Sequence, residues 1–202
     1  SAFMRECMGI DLSDDDVRAL EQRTEGWIAG LQLAAVSLQG EPDVASFVAS
    51  FTASNRFVLD YLVEEVIERQ PESVQAFLTQ TSVLDRFCSS LCDAVLGLEP
   101  GTSEETIRHL ERANLFLVPL DNERRWYRYH HLFGELLGTR ADRPEILHAR
   151  ASRWFEEHDL PVEAFGHAAK AGDVPRALEL VYAREAPLYF QGHARLVLRW
   201  IE

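Results

Sequence analysis

The chain has 202 residues, 47% of them apolar and 10% aromatic, with a formal net charge of −13. That composition packs a core and excludes a disordered chain. The acidic balance argues against a general nucleic-acid binder, which needs Lys and Arg in excess against phosphates. No apolar run approaches the roughly 20 residues that span a bilayer, and no basic-then-apolar leader opens the chain, so a cytoplasmic protein is expected.

In chain order the reading is helical nearly throughout. Ser13 in "DLSD" is an N-cap with acids in the first turn. Val17 and Leu20 open a helical period, and "WIAGLQLAAVSLQG" continues it at Trp27, Ile28, Leu31, Ala34, Ala35 and Leu38 before ending on Gly40. Pro42 and Asp43 start "DVASFVASF". The segment "SNRFVLDYLVEEVIERQP" places Phe57, Val58, Tyr61, Leu62 and Val66 on adjacent turns, with Glu64, Glu65 and Glu68 as a solvated face. Pro71 stops it and starts "ESVQAFLTQTS". "RFCSSLCDAVLG" follows. In "TSEETIRHLERAN", Thr102 or Ser103 is the expected cap, Glu105 its capping-box partner, and Ile107, Leu110 and Ala113 the buried face.

The period then changes from helical to strand. "LFLVPL" is β-rich, "DNER" is a turn, and "RWYRYH" alternates, which together predict one hairpin. Short helices followed by a hairpin are the winged-helix order. "HLFGELLGTRA" returns to helix. From Pro144 the pattern is helix pairs, with Leu147, Ala151, Trp154 and Phe155 on one face of the first and breaks at "DLP" and "AGD". These suggest a helical repeat just beginning. The first residues lack a starting Met and "ARLVLRWIE" is an amphipathic helix without a C-cap, so both ends are expected to continue into a longer protein.

Enzyme signatures are absent from this stretch: no GxxxxGK[ST], no GxGxxG after a strand, no HExxH and no GxSxG. The cysteines Cys7, Cys88 and Cys92 have neither disulfide-framework nor zinc spacing and read as small hydrophobes. His148 and His158 flank a helix and read as surface. His130 and His131 sit on opposite strand faces, which is awkward for a metal or catalytic pair. No catalytic and no metal-binding residues are therefore assigned. The wing arginines Arg124, Arg125 and Arg128 interleave with aromatics, as on a nucleic-acid platform. The acidic third helix opposes that, and the arginines are expected to pair with neighbouring domains.

The ordered set "TEGWIAGLQLAA", "FVLDYLVEEVIERQP", "FLTQTSVLDRFCSSLCDAVLG", "LERANLFLVPLDNERRWYRYHHLF" and "HARASRWFEEHDLPVEAFGHA" resembles the MalT-like large ATP-binding regulators of the LuxR class, signal-transduction ATPases of the STAND type. The resemblance covers essentially the whole chain. It implies a mainly α architecture: a helical subdomain over 1–53 that ends a nucleotide-binding module, a winged helix with one β-hairpin over 54–140, and the start of a TPR-like helical-repeat arm over 141–202. The phosphate loop of the parent would lie upstream and its DNA-binding helix-turn-helix downstream.

The resemblance also implies cofactor-binding residues. Gly26, Trp27 and Ile28 match a Gly-x-Pro motif that packs on adenine, with Ile28 in place of the proline. "YHHL" matches a Met-His-Asp-like motif whose histidine touches the β-phosphate of ADP. His130 takes that place, and His131 stands where the family has Asp. The parent would bind ADP or ATP as a slow ATPase, with none expected on this stretch alone. It would sense an inducer on the arm, reach DNA only through its helix-turn-helix, and self-oligomerise when active. The stretch itself would not be an enzyme. The competing reading is an interaction scaffold of winged helix and repeats with no nucleotide sensing.

Overall fold

The computed structural model describes residues 13–25, 27, 34, 47–48, 61–113 and 115–182. The helices expected over 27–38 and 43–51, and the terminal segment 194–202, lie essentially outside the described residues. By internal packing the chain divides into two units. One joins the residues up to Gln75 to Tyr129–Arg140, and the other joins Ala76–Arg128 to the residues from Ala141 onward.

In the first unit, helix α1 (Asp14–Thr24) starts as the sequence predicts: the Ser13 hydroxyl accepts from the Asp16 N–H at 3.1 Å. Its inner face is Val17, Leu20 and Thr24, spaced at i, i+3 and i+7. The Thr24 hydroxyl donates back to the Leu20 carbonyl at 2.8 Å, which removes a buried donor from water without stranding it. Glu25 then turns into the left-handed region at φ 48° and stops the helix. A π-helical segment, Tyr61–Ile67, buries Leu62, Val63, Val66 and Ile67 while Glu64 and Glu68 face solvent.

Helix α2 (Glu72–Thr81) begins directly after Pro71, whose carbonyl receives the Val74 and Gln75 N–H groups. Pro71 has no N–H to leave unsatisfied in that first turn.

The second unit holds α3 (Ser89–Leu96), α4 (Thr102–Arg112) and the hairpin of β1 (Leu117–Pro119) and β2 (Tyr127–Tyr129). Asp121 builds the hairpin turn: its carboxylate accepts from the Arg125 N–H at 2.8 Å and the Trp126 N–H at 3.3 Å. Phe87 adds a further antiparallel bridge, exchanging both backbone hydrogen bonds with Tyr127 at 2.8 and 2.9 Å. Helices, a short strand position and a hairpin in that order make a winged helix.

Three more helices follow: α6 (Pro144–Glu157), α7 (Pro161–Lys170) and α8 (Val174–Tyr182). The helix between β2 and α6 is α5 (His131–Gly138), which belongs to the first unit and packs on α1 with Leu132, Phe133, Leu136 and Leu137 buried. Helices α6 and α7 pack along their length, with fully buried Ala151, Ala164 and Ala168 letting the backbones approach around Phe155 and Phe165. Arg176 staples α8 to α6, donating to the Ser152 hydroxyl at 2.9 Å and the Glu156 carboxylate at 2.8 Å. Ser152 in turn donates to the Ala164 carbonyl at 2.8 Å.

Several local expectations are corrected. The cap of α4 is neither Thr102 nor Ser103. The residue before the helix is Gly101, at φ 88°, and the buried carboxylate of Asp93 in α3 accepts from the Gly101 N–H at 2.7 Å and the Ser103 N–H at 2.8 Å. A charged acceptor from a neighbouring helix outcompetes a local hydroxyl. Ala113 is exposed rather than buried, because the helix ends at Arg112 and the chain turns away. Cys92 is buried as expected, but Cys88 is only half-buried, with its Sγ 3.4 Å from the Ser90 Oγ.

Candidate functional site

His130 ends the wing strand and stands at the N-cap of α5, its carbonyl accepting from the Gly134 N–H at 2.8 Å. The strand's alternation buries Tyr127 and Tyr129. Tyr129 meets Phe133 edge-on with ring centroids 5.9 Å apart, which anchors the turn from strand into helix. The extended backbone at His130 (φ −54°, ψ 140°) breaks the alternation, so its imidazole also enters the protein and is only 7% exposed.

The imidazole lands on the C-terminus of α1. Its Nε2 is 2.6 Å from the Thr24 carbonyl oxygen and 3.6 Å from the Glu25 carboxylate. The Trp27 ring lies edge-on to it, with centroids 6.1 Å apart. The Thr24 carbonyl also accepts from the Trp27 N–H at 2.8 Å, so both its lone-pair directions are used. An Nε2–H at the end of a helix is favourably placed, since carbonyls and the negative end of the helix dipole converge there. A neighbouring carboxylate adds to that.

Of the expected site residues, the structure thus brings His130 and Trp27 together across a long sequence separation. Gly26 and Ile28 lie outside the described residues. His131 points outward and is exposed, its Nε2 3.4 Å from the Glu135 carboxylate one turn on. Thr24 and Glu25 are the partners that sequence reasoning missed. The left-handed stop at Glu25 carries no sequence signal, because Glu is not a residue that favours it.

The donor chemistry of His130 fits a nucleotide phosphate in one respect. A phosphate oxygen is an acceptor, like the Thr24 carbonyl, so Nε2–H can serve one or the other. The two polar groups described at its Nε2, the Thr24 carbonyl and the Glu25 carboxylate, are both acceptors, so donors for a phosphate would have to come from elsewhere in a nucleotide-binding module.

A second feature lies wholly in the other unit. A cleft of about 1100 Å³ opens between α3, α4, the wing and α6. Its aromatic floor is Trp126, Tyr127 and Trp154, the two tryptophans meeting edge-on at 6.1 Å. Of the wing arginines expected to pair with neighbouring domains, Arg124 and Arg125 have carboxylate partners within this unit. Arg124 pairs with Glu111 of α4 at 2.5 Å, and Arg125 pairs with Glu123 at 3.0 Å. On α4 itself Arg108 pairs with Glu104 at 2.6 Å. Those carboxylates offset the charge of Arg108, Arg124 and Arg125, which disfavours phosphate contacts.

His148 is half-buried rather than fully at the surface. Its Nδ1 is 2.8 Å from the Nδ1 of His167, so one neutral ring donates to the other between α6 and α7. Phe155 stacks on His167 with centroids 5.2 Å apart. Both rings are lowered from 6.5 to about 4, chiefly by burial; the Lys170 ammonium contributes at His148, His148 and then Lys170 contribute at His167, and Asp85 opposes the fall at both. His158, by contrast, is exposed as expected and lies flat on Trp154 at 3.7 Å. Among the described residues no group of three His, Cys, Asp or Glu side chains is placed to hold a metal ion, and no helix is long and apolar enough to cross a membrane.

The fold and this geometry define a winged-helix domain set among helices. Residues 63–149 match the family described as the MalT winged helix domain. Over 207 residues, and 100% of its length, the chain is 32% identical to the serine/threonine-protein kinase PknK of Mycobacterium tuberculosis, of which it covers 18%. It is 32% identical to the HTH-type transcriptional regulator MalT of Vibrio campbellii over 94% of the chain and 22% of that protein. With MalT of Yersinia pestis the identity is 31% over 96% of the chain, again 22% of the relative. The chain is MalT-like along nearly its whole length, and it spans about a fifth of the length of the curated relatives it matches.

Proposed function

We propose that this chain is the regulatory middle of a larger MalT-like, STAND-type signalling protein of the LuxR class, and that His130 reports nucleotide state to the winged helix. One observation supports it above the others: the imidazole at the end of the wing strand docks on the residues immediately before Gly26, Trp27 and Ile28. Two motifs far apart in sequence, each tied by resemblance to the nucleotide, meet at one place. The relatives add to this. A kinase and transcriptional regulators carry this same stretch, so the role common to them is control rather than output.

On this reading His130 would donate Nε2–H to a phosphate oxygen of ADP, with Trp27, Gly26 and Ile28 near the base. The chemistry the nucleotide supplies is a phosphate charge that differs between ADP and ATP. Holding His130 on that charge would favour a closed state. An inducer on the TPR-like arm, together with ATP, would favour an open, self-associating one. DNA would be reached through a downstream helix-turn-helix, and hydrolysis by the parent would be slow. The protein would act in the cytoplasm.

The test is ADP retention by the purified parent protein, wild type against His130→Ala. The reading expects ADP to be released from the variant at least tenfold more readily, since a charge-assisted hydrogen bond contributes roughly 1.5–3 kcal/mol, with raised basal activity. Unchanged retention in a folded variant rejects it. A second reading, a protein-interaction scaffold without nucleotide sensing, draws on α8: Val174, Leu178 and Tyr182 are 50%, 41% and 73% exposed at helical spacing. Unchanged retention in that same experiment would favour it.

A further inference from the structure

We infer that the wing is coupled to the first helices of the arm through Arg86, whose guanidinium joins Glu163 of α7 to the ring of Trp126, so that a displacement of α7 is passed to the hairpin. All of these contacts lie within the second unit, and none involves His130.

Arg86 stands beside Phe87, which extends the wing's sheet. Phe87 and Tyr127 exchange both backbone hydrogen bonds at 2.8 and 2.9 Å, and their rings stack with centroids 6.3 Å apart. Neighbours on an extended chain point to opposite faces, so with Phe87 buried in the core Arg86 emerges on the other side. From there a long side chain reaches the diagonal neighbour across the bridge. That neighbour is Trp126, and the guanidinium carbon lies 4.8 Å from its ring centroid. The same guanidinium donates to the Glu163 carboxylate at 2.5 Å.

These two contacts do not compete. A guanidinium carries its N–H donors in its own plane, so a face laid on a ring leaves the edge free for a carboxylate. Arg86 therefore touches the wing and α7 at once. Other ties join the same elements. Lys170, seven residues and two turns along α7 from Glu163, pairs with Asp85 at 3.2 Å. Arg150 of α6 donates to the Val95 carbonyl at the end of α3 at 2.9 Å. Trp154 of α6 meets the edge of Trp126. Trp126 is thus held by both helices of the pair, directly by α6 and through Arg86 by α7.

The side chains of Arg86 and Glu163 are 41% and 32% exposed. A contact so open to water adds little to stability and is made and broken readily. It suits a positioning residue that passes on a movement better than it suits a permanent weld.

The experiment is amide hydrogen exchange followed by mass spectrometry on the full-length parent protein, for wild type, Glu163→Gln, Lys170→Gln, Arg86→Gln and Arg86→Lys. Glu163→Gln is expected to speed exchange about two- to fivefold in α7 and, through Arg86, also in the wing over 117–128, the worth of an exposed ion pair with a cation–π contact. Lys170→Gln breaks the Asp85 pair and leaves the Arg86 contacts in place, so it is expected to speed exchange in α7 alone. Arg86→Gln should loosen the wing as Glu163→Gln does, and Arg86→Lys, which keeps the cation, should loosen it less. An unchanged wing in Glu163→Gln overturns the coupling. So does a wing loosened equally by Lys170→Gln, or an Arg86→Lys protein that behaves like Arg86→Gln, since the wing would then be answering to something other than the Arg86 cation.

Discussion

The His148–His167 pair makes stability between pH 7 and pH 4 depend on two residues. Both rings are held at about 4 in the folded protein against 6.5 for a free imidazole, first by burial, then by Lys170 at His148 and by His148 followed by Lys170 at His167. Above pH 6.5 neither the folded nor the unfolded chain protonates them, and the stability they permit is fully present. As pH falls, the unfolded chain takes up protons that the folded one refuses, and stability drains until pH reaches about 4. For His167, which is 5% exposed, the fall in proton affinity corresponds to about 3 kcal/mol at about 1.4 kcal/mol per tenfold change. His148 is half-exposed, so water screens its share, and the His167 shift already contains a part from His148. The pair therefore counts about once, at roughly 2–3 kcal/mol. Other groups also titrate in this range, so the quantity to measure is a difference. Urea denaturation at several pH values between 7 and 4 is compared for wild type and the double variant His148→Gln, His167→Gln. The wild type is expected to lose about 2–3 kcal/mol more than the variant. Parallel pH profiles, within about 0.5 kcal/mol, would refute the reasoning and mean that the rings are hydrated or already charged at neutral pH.

Substitutions at two further sites test what holds the winged helix together. Asp93→Ala strands the Gly101 and Ser103 N–H groups at the start of α4 and is expected to cost about 2–4 kcal/mol by chemical denaturation, with Asp93→Asn costing about half, because one amide NH₂ then faces an N–H. Gly97→Ala puts a Cβ at φ 70° and 3.3 Å from an Arg150 guanidinium nitrogen, with an expected loss of about 1–2 kcal/mol in thermal melts. Truncating Arg150 in the Gly97→Ala background should not restore it, since the backbone penalty remains.

Much of the fold was legible because it is local. Ser13 caps α1 through its own hydroxyl, Pro71 and Pro144 start helices where a missing N–H costs nothing, and Asp121 turns the hairpin with its carboxylate. Each of these bonds closes within five residues, so the residue types suffice. The errors share a cause as well. Thr102 and Ser103 lost the cap of α4 to Asp93, eight to ten residues away, and His148, half-buried, meets His167 on the next helix. Arg124 pairs at the surface with Glu111 because α4 and the wing face each other, which no window of sequence contains.

The candidate site divides the same way. His130 and Trp27 could be named from sequence, because a motif is a pattern of residue types. That the imidazole meets the end of α1, and that Thr24 and Glu25 are what it meets, is a fact of packing across 106 residues of chain. Sequence alone determined the helical periods of the described helices, the wing hairpin, the winged-helix order and the absence of a phosphate loop in this stretch. Tertiary structure decided which polar groups share protons, since hydrogen bonds between buried groups form wherever the core places an acceptor within about 3 Å. The core is set by the apolar pattern of the whole chain, not by the residues that make the bond.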